Sequence, residues 1–179
     1  MRKLMLLVAL VALAVPVAAY ASGTPSAAST ANQICKQAQT SMGALFAQTY
    51  ATNASKSNAF GKCVAKNTAL AQQVVSNASK TCTAQQADPN FAATNGGKTF
   101  EQLYGNNASK GKGSAANAFG KCVSLAVSKS VAAQAQSLTT AAKSCKAALK
   151  ASATAFASSY GTTKSAFGKC VAAAASKNR

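Results

Sequence analysis

The apolar residues of this chain form one unbroken run near the start and then settle into helical spacing. Leu4 to Val15 carries no charge, follows Arg2 and Lys3, and ends at Pro16, with the small-x-small site Ala19-Tyr20-Ala21 behind it. The run is shorter than the ~20 apolar residues of a spanning helix, so the layout predicts a secretory signal peptide over residues 1–21, cleaved before Ser22. Residues 22–30, Ser-Gly-Thr-Pro-Ser-Ala-Ala-Ser-Thr, read as a flexible leader. Helix is expected over 31–52 and over 60–86, the latter with the stripe Cys63, Leu70, Val74 and Ala78. The clearest stripe follows: Val123, Val127, Val131, Ala135, Leu138, Ala142, Cys145 and Leu149, at steps of three and four. Asn58, Asn117 and Ser165 are expected N-caps. Asp88-Pro89 reads as a cap with proline at the first position of a new short helix. Gly105 and Gly161 suit helix ends, and 106–116 reads as a Gly/Ser/Asn/Lys loop. No segment shows a convincing strand pattern, so the predicted class is all-α.

Aligning the cysteines reveals duplication. Ala-Phe-Gly-Lys-Cys-Val occurs at 59–64, 118–123 and 166–171, each time after Asn or Ser. Upstream of each copy stands a Phe-x-x-x-Tyr pair (Phe46/Tyr50, Phe100/Tyr104, Phe156/Tyr160), and further upstream a first cysteine (Cys35, Cys82, Cys145). A six-residue string found three times in one chain marks internal repeats. The expected units are about 31–67, 78–129 and 141–177, within a helical domain over 31–179, joined by long Ala-rich helices. Phe and Tyr four apart share a helix face. After residue 21, every aromatic except Phe91 belongs to one of these three Phe/Tyr/Phe sets.

On these residues the chain resembles a group of uncharacterised exported repeat proteins of high-G+C Gram-positive bacteria. Their units look like Cys…Asp-Pro…Phe-x-x-x-Tyr-Gly…Asn-Ala-Phe-Gly-Lys-Cys-Val. The second unit matches most fully, through Cys82, Asp88-Pro89, Phe100, Tyr104-Gly105 and Asn117 to Val123. The other two lack Asp-Pro, and the first has Ala51 in place of the glycine. The resemblance implies an architecture and carries no activity with it.

Composition changes the picture in two ways. Nineteen Lys and Arg against two carboxylates give a formal charge of +17, and past residue 21 the only arginine is Arg179. Such a lysine-rich chain attracts polyanions. The hydrophobic fraction of 49% is inflated by alanine; large aliphatic and Phe side chains are few, which points toward disorder. Alanine and lysine favour helix, and cysteines supply restraint where a core is thin. Order is therefore expected to depend on the cysteines.

Six cysteines in an exported chain favour disulfides, and with no histidine and no Cys-x-x-Cys a metal site is not expected. Cys63 and Cys82 on one continuous helix would stand about 28 Å apart, which excludes their pairing, and the same reasoning excludes Cys122–Cys145. Pairing within units (Cys35–Cys63, Cys82–Cys122, Cys145–Cys170) is the simplest arrangement. A rival links neighbouring helices, for example through Cys35–Cys82.

Catalytic chemistry finds few groups. There is no histidine, and Asp88 and Glu101 are the only carboxylates; acid–base and triad chemistry need more. Ser109 and Lys112 fit Ser-x-x-Lys without companion motifs. Gly96-Gly97-Lys98-Thr99 resembles the end of a phosphate loop, but Ala92 stands where glycine is required. Asn-Ala-Ser at Asn53, Asn77 and Asn107 forms sequons, incidental in a bacterial chain of this composition. The candidate anion-binding set is Gly61/Lys62, Gly120/Lys121 and Gly168/Lys169, where free N–H groups of a helix start would meet a lysine. The competing and favoured reading is that these glycines permit close packing while the lysines are solvated. The expected function is therefore a secreted, non-enzymatic structural or interaction protein of the cell envelope or extracellular space. Its expected partners are anionic cell-wall or extracellular polymers, with no cofactor and no small-molecule substrate. The alternatives are a nucleic-acid binder, disfavoured by scarce arginine and no Lys/aromatic interleaving, or a membrane-active cationic protein, disfavoured by alanine-dominated faces without Trp.

Overall fold

The computed structural model describes residues 23–105 and 117–177. The expected signal peptide, the 106–116 loop with Ser109 and Lys112, the Asn107 sequon and Arg179 lie outside these residues. Eight helices and no strand occur among the described residues: α1 (Ala27–Met42), α2 (Ala44–Tyr50), α3 (Ala59–Ala87), α4 (Phe91–Thr94), α5 (Phe100–Tyr104), α6 (Ala118–Ala151), α7 (Ala153–Tyr160) and α8 (Ala166–Ser176). The chain is all-α, as its periodicity predicts.

Four segments build a bundle that alternates in direction: α1 continued by α2, then α3, α6 and α8. The α1 helix packs on α3 and α6, α3 on α6, and α6 on α8, while α2 reaches α3 and α8. Gly43, at φ 54° and ψ −126°, breaks the expected 31–52 helix into α1 and α2; its positive φ suits a residue without Cβ. The predicted stripe of α6 is the centre of the core. Val123, Val127, Val131, Ala135, Leu138, Ala142 and Cys145 are all buried, and Leu149 is half-buried at the end. These residues share one core with Ile34, Ala38, Ala71, Val74 and Val171 from the other helices. Both long helices cross unit boundaries, since α3 carries Cys63 and Cys82 and α6 carries Cys122 and Cys145.

Three local expectations are corrected. The leader is not uniformly flexible. Ser26 caps α1 through Oγ, which accepts from the Ser29 N–H at 3.1 Å, and Thr30 is fully buried. Gly23 lies against α6, its carbonyl accepting from Ser124 Oγ at 3.1 Å. Asn58, Asn117 and Ser165 do not cap with their side chains. A capping side chain works from an extended backbone; here ψ is 1°, 0° and −7°. Asn58 instead holds the preceding loop, accepting from Thr52 N–H and donating to Thr52 Oγ1. Asp88 ends α3 rather than starting the next helix. Its carboxylate accepts from Asn90 N–H at 2.9 Å, and the short helix begins two residues after Pro89.

Candidate functional site

The cysteines organise the two ends of the bundle. Disulfides join Cys35–Cys63, Cys82–Cys122 and Cys145–Cys170, each with Cα atoms 6.0 Å apart, and no cysteine is free. Since α3 and α6 run antiparallel from the Cys82–Cys122 bridge, the other cysteines on them lie far along the axis. Cys63 is about 28 Å from that bridge and Cys145 about 35 Å. The Cys35–Cys63 and Cys145–Cys170 bridges therefore share one end of the molecule and Cys82–Cys122 holds the other. Asn67, buried one turn beyond Cys63, donates to the Cys63 carbonyl at 2.9 Å, with Nδ2 3.6 Å from Cys63 Sγ.

Each Phe-x-x-x-Tyr pair brings its rings together. Centroids stand 5.0 Å apart for Phe46/Tyr50, 4.9 Å for Phe100/Tyr104 and 5.0 Å for Phe156/Tyr160, all tilted by about 50–57°. Phe91 joins the second pair, 5.7 Å from Phe100 and 6.4 Å from Tyr104. No spacing rule flagged it, because it stands outside the three Phe/Tyr/Phe sets; it is buried against the second pair.

The three Gly-Lys positions differ in their surroundings. A Cβ at Gly61 would meet nothing within 4 Å. One at Gly120 would touch the Gly23 backbone at 3.6 Å. One at Gly168 would sit 2.5 Å from the Thr49 carbonyl oxygen, so the end of α2 is seated directly on the start of α8. Lys62, Lys121 and Lys169 are exposed, and their own N–H groups are taken by the first intrahelical bonds, to Asn58, Asn117 and Ser165. Lys121 Nζ also reaches the Gly105 carbonyl at 3.5 Å. The structure brings no two of these Gly-Lys pairs together into one pocket.

Two of the clefts at the doubly bridged end are shared by several helices. One, of about 240 Å³, lies between α2, α3, α6 and α8 and is lined by Thr49, Lys66, Asn67, Leu138 and Gly168. The other, about 390 Å³ and largely apolar, lies along α7 and α8 beside Phe156 and Phe167. Among the described residues no three His, Cys, Asp or Glu side chains converge as metal ligands. Asp88 is engaged in its turn, and Glu101 sits in the first turn of α5. Gly96 and Gly97, both at positive φ, link α4 to α5, and Thr99 caps α5 with Gln102 in a reciprocal box. Asn53 is tied to Ser55 and Ser57, and Asn77 is exposed on α3.

The electrostatics are simpler than the clefts. All fourteen described lysines, from Lys36 to Lys177, are exposed, and the chain holds only Asp88 and Glu101 to oppose them. No helix among the described residues is long and apolar enough to cross a membrane. No protein-family model, curated protein or solved structure matches the chain.

Proposed function

We propose that this is an exported, non-enzymatic interaction protein that adheres to anionic polymers of the cell envelope or extracellular space. The observation that carries the reading is the display of every described lysine on a disulfide-closed bundle, with two carboxylates in the whole chain. Closed disulfides fit an oxidising compartment, which supports export. Ammonium groups held apart on helices attract a polyanion without needing a shaped pocket. The three units are read as copies of one cysteine-bracketed helical element, now sharing a single core. Retention of the purified protein on an anionic cell-wall polymer, released by salt and without dye leakage from anionic vesicles, is the expected result. Tight DNA binding at physiological salt with no retention on wall polymer would refute the proposal.

A further inference from the structure

The described lysines are unevenly spread along the bundle axis. Lys36, Lys62, Lys66, Lys143, Lys146 and Lys169 each lie within one helical turn of a cysteine in the two bridges that share an end. Among the described residues, Lys80 and Lys121 stand within one turn of the third bridge, with Lys98 and Lys129 further off, and Lys121 is partly engaged with the Gly105 carbonyl. Both carboxylates belong to this second end. Asp88 closes α3 just past Cys82, and Glu101 rides on α5, whose Tyr104 hydroxyl donates to Gln85 at 3.2 Å.

We propose that the molecule is electrostatically polar and that the end holding Cys35–Cys63 and Cys145–Cys170 is the docking surface for a flexible linear polymer of repeated single negative charges. The inference rests on the adhesion reading above and adds to it a place and a class of partner. Charge complementarity identifies the occupant: six exposed lysines from four helices belong to one end, and neither Asp88 nor Glu101 lies among them. The described cations are all lysine. A lysine ammonium is a hydrated point charge without the planar fork that fits one oxyanion geometry, so charge density does the recognising. Among the described residues no large hydrophobic side chain protrudes at this end toward a lipid surface, the apolar rings there being recessed in the cleft along α7 and α8. Leu125, 48% exposed and the one large exposed hydrophobic among the described residues, lies three residues from Cys122 at the far end.

Two variants of equal net charge test this. One replaces Lys62, Lys66, Lys143 and Lys146 by Gln; the other replaces Lys80, Lys98, Lys121 and Lys129. All eight side chains are exposed, and circular dichroism and melting checks that both variants fold. Affinity for fluorescent long-chain inorganic polyphosphate is measured from 0.05 to 0.3 M salt. Each lost contact lowers the slope of log K against log salt by about 0.7 to 0.9. The first variant should therefore lose up to about 3 to 3.5 in slope if all four lysines make contact, and bind at least tenfold more weakly than the second at 0.1 M salt. Equal weakening of both variants overturns the polar docking surface while leaving adhesion standing. No binding by the parent protein overturns adhesion as well. Preference for phosphatidylglycerol vesicles over the polymer, with dye release, overturns the choice of partner. A smaller Lys143→Gln/Lys146→Gln variant gives the same comparison if the fourfold change unfolds the protein.

Discussion

Three glycines in one identical hexapeptide should respond oppositely to the same substitution. Gly61, Gly120 and Gly168 each occupy the third position of a helix, where alanine is favoured over glycine by up to about 1 kcal/mol. At Gly61 the new methyl meets open space, so Gly61→Ala should stabilise by about 0.5–1 kcal/mol, less than mid-helix because first-turn propensities are weaker. At Gly120 the methyl makes an ordinary contact at 3.6 Å, and a similar or slightly larger gain is expected. At Gly168 it would stand 2.5 Å from a carbonyl oxygen fixed by α2, a backbone atom that cannot rotate away. Relieving that overlap requires α8 to shift against α2, an overpacking cost of about 1–3 kcal/mol. Net of the helix gain, Gly168→Ala should destabilise by about 1–2 kcal/mol. In a domain of this size 1 kcal/mol moves the melting temperature by roughly 2–4 °C. Scanning calorimetry on the oxidised proteins should therefore rank Gly61→Ala and Gly120→Ala above the parent and Gly168→Ala several degrees below it. A rise for Gly168→Ala equal to that for Gly61→Ala would show that α2 is not seated on α8 and would remove the packing argument.

Three further outcomes follow from named contacts. Thr30 Oγ1 is buried and finds no hydrogen-bond partner among the described residues, so Thr30→Val should raise stability by about 1 kcal/mol in denaturant unfolding; a loss would reveal a partner for the hydroxyl. Replacing Cys82 and Cys122 by Ala opens the bridge with the widest separation, 40 residues, and should cost about 4 kcal/mol by chain entropy, shifting the guanidinium midpoint markedly; an unchanged midpoint would mean that this bridge contributes nothing to stability. With lysines facing few carboxylates, added salt screens repulsion more than attraction, so melting temperature should rise between 0.01 and 0.15 M NaCl, and a fall would indicate stabilising ion pairs.

The helices and their buried stripe were readable because α6 presents its valines and leucines at steps that only a helix brings to one side. The pairing of cysteines was open in part. Helix length excluded two bridges, while choosing among the rest needed to know which helix ends meet. At Asn58, Asn117 and Ser165 the residue type suits a cap, but the backbone angle before the helix, which decides whether the side chain can reach, is not written in the residue type. Asp88 follows the same logic: Asp-Pro marks a turn without saying which helix it serves, and here the turn is used to leave α3. At the start of α1 the opposite happened. Ser26 followed by Ala27-Ala28 is a usable cap, but the neighbouring Gly23, Pro25 and Ser residues read as a loop, and only packing of Gly23 on α6 fixes that segment. The Gly-Lys motif looked like one feature copied three times. Its three surroundings differ because they belong to neighbouring helices, which the hexapeptide does not contain.

Those differences bear on how a thin core and a high charge coexist. Alanine at Ala31, Ala38, Ala71, Ala135 and Ala142 lets helices approach closely but buries little surface per residue, so the apolar driving force is small. The fourteen described lysines, all exposed, act against compaction at the same time. The disulfides and the ring pairs sit where the bundle would otherwise open: two bridges and two Phe/Tyr pairs at the end crowded with lysine, one bridge and the Phe91/Phe100/Tyr104 cluster at the other. The more heavily charged end is thus the more heavily tied. In the adhesion proposed above, concentrated lysines and covalent restraint act together. A chain that presents those lysines to a polyanion needs both, because the charge must stay dense before the partner arrives.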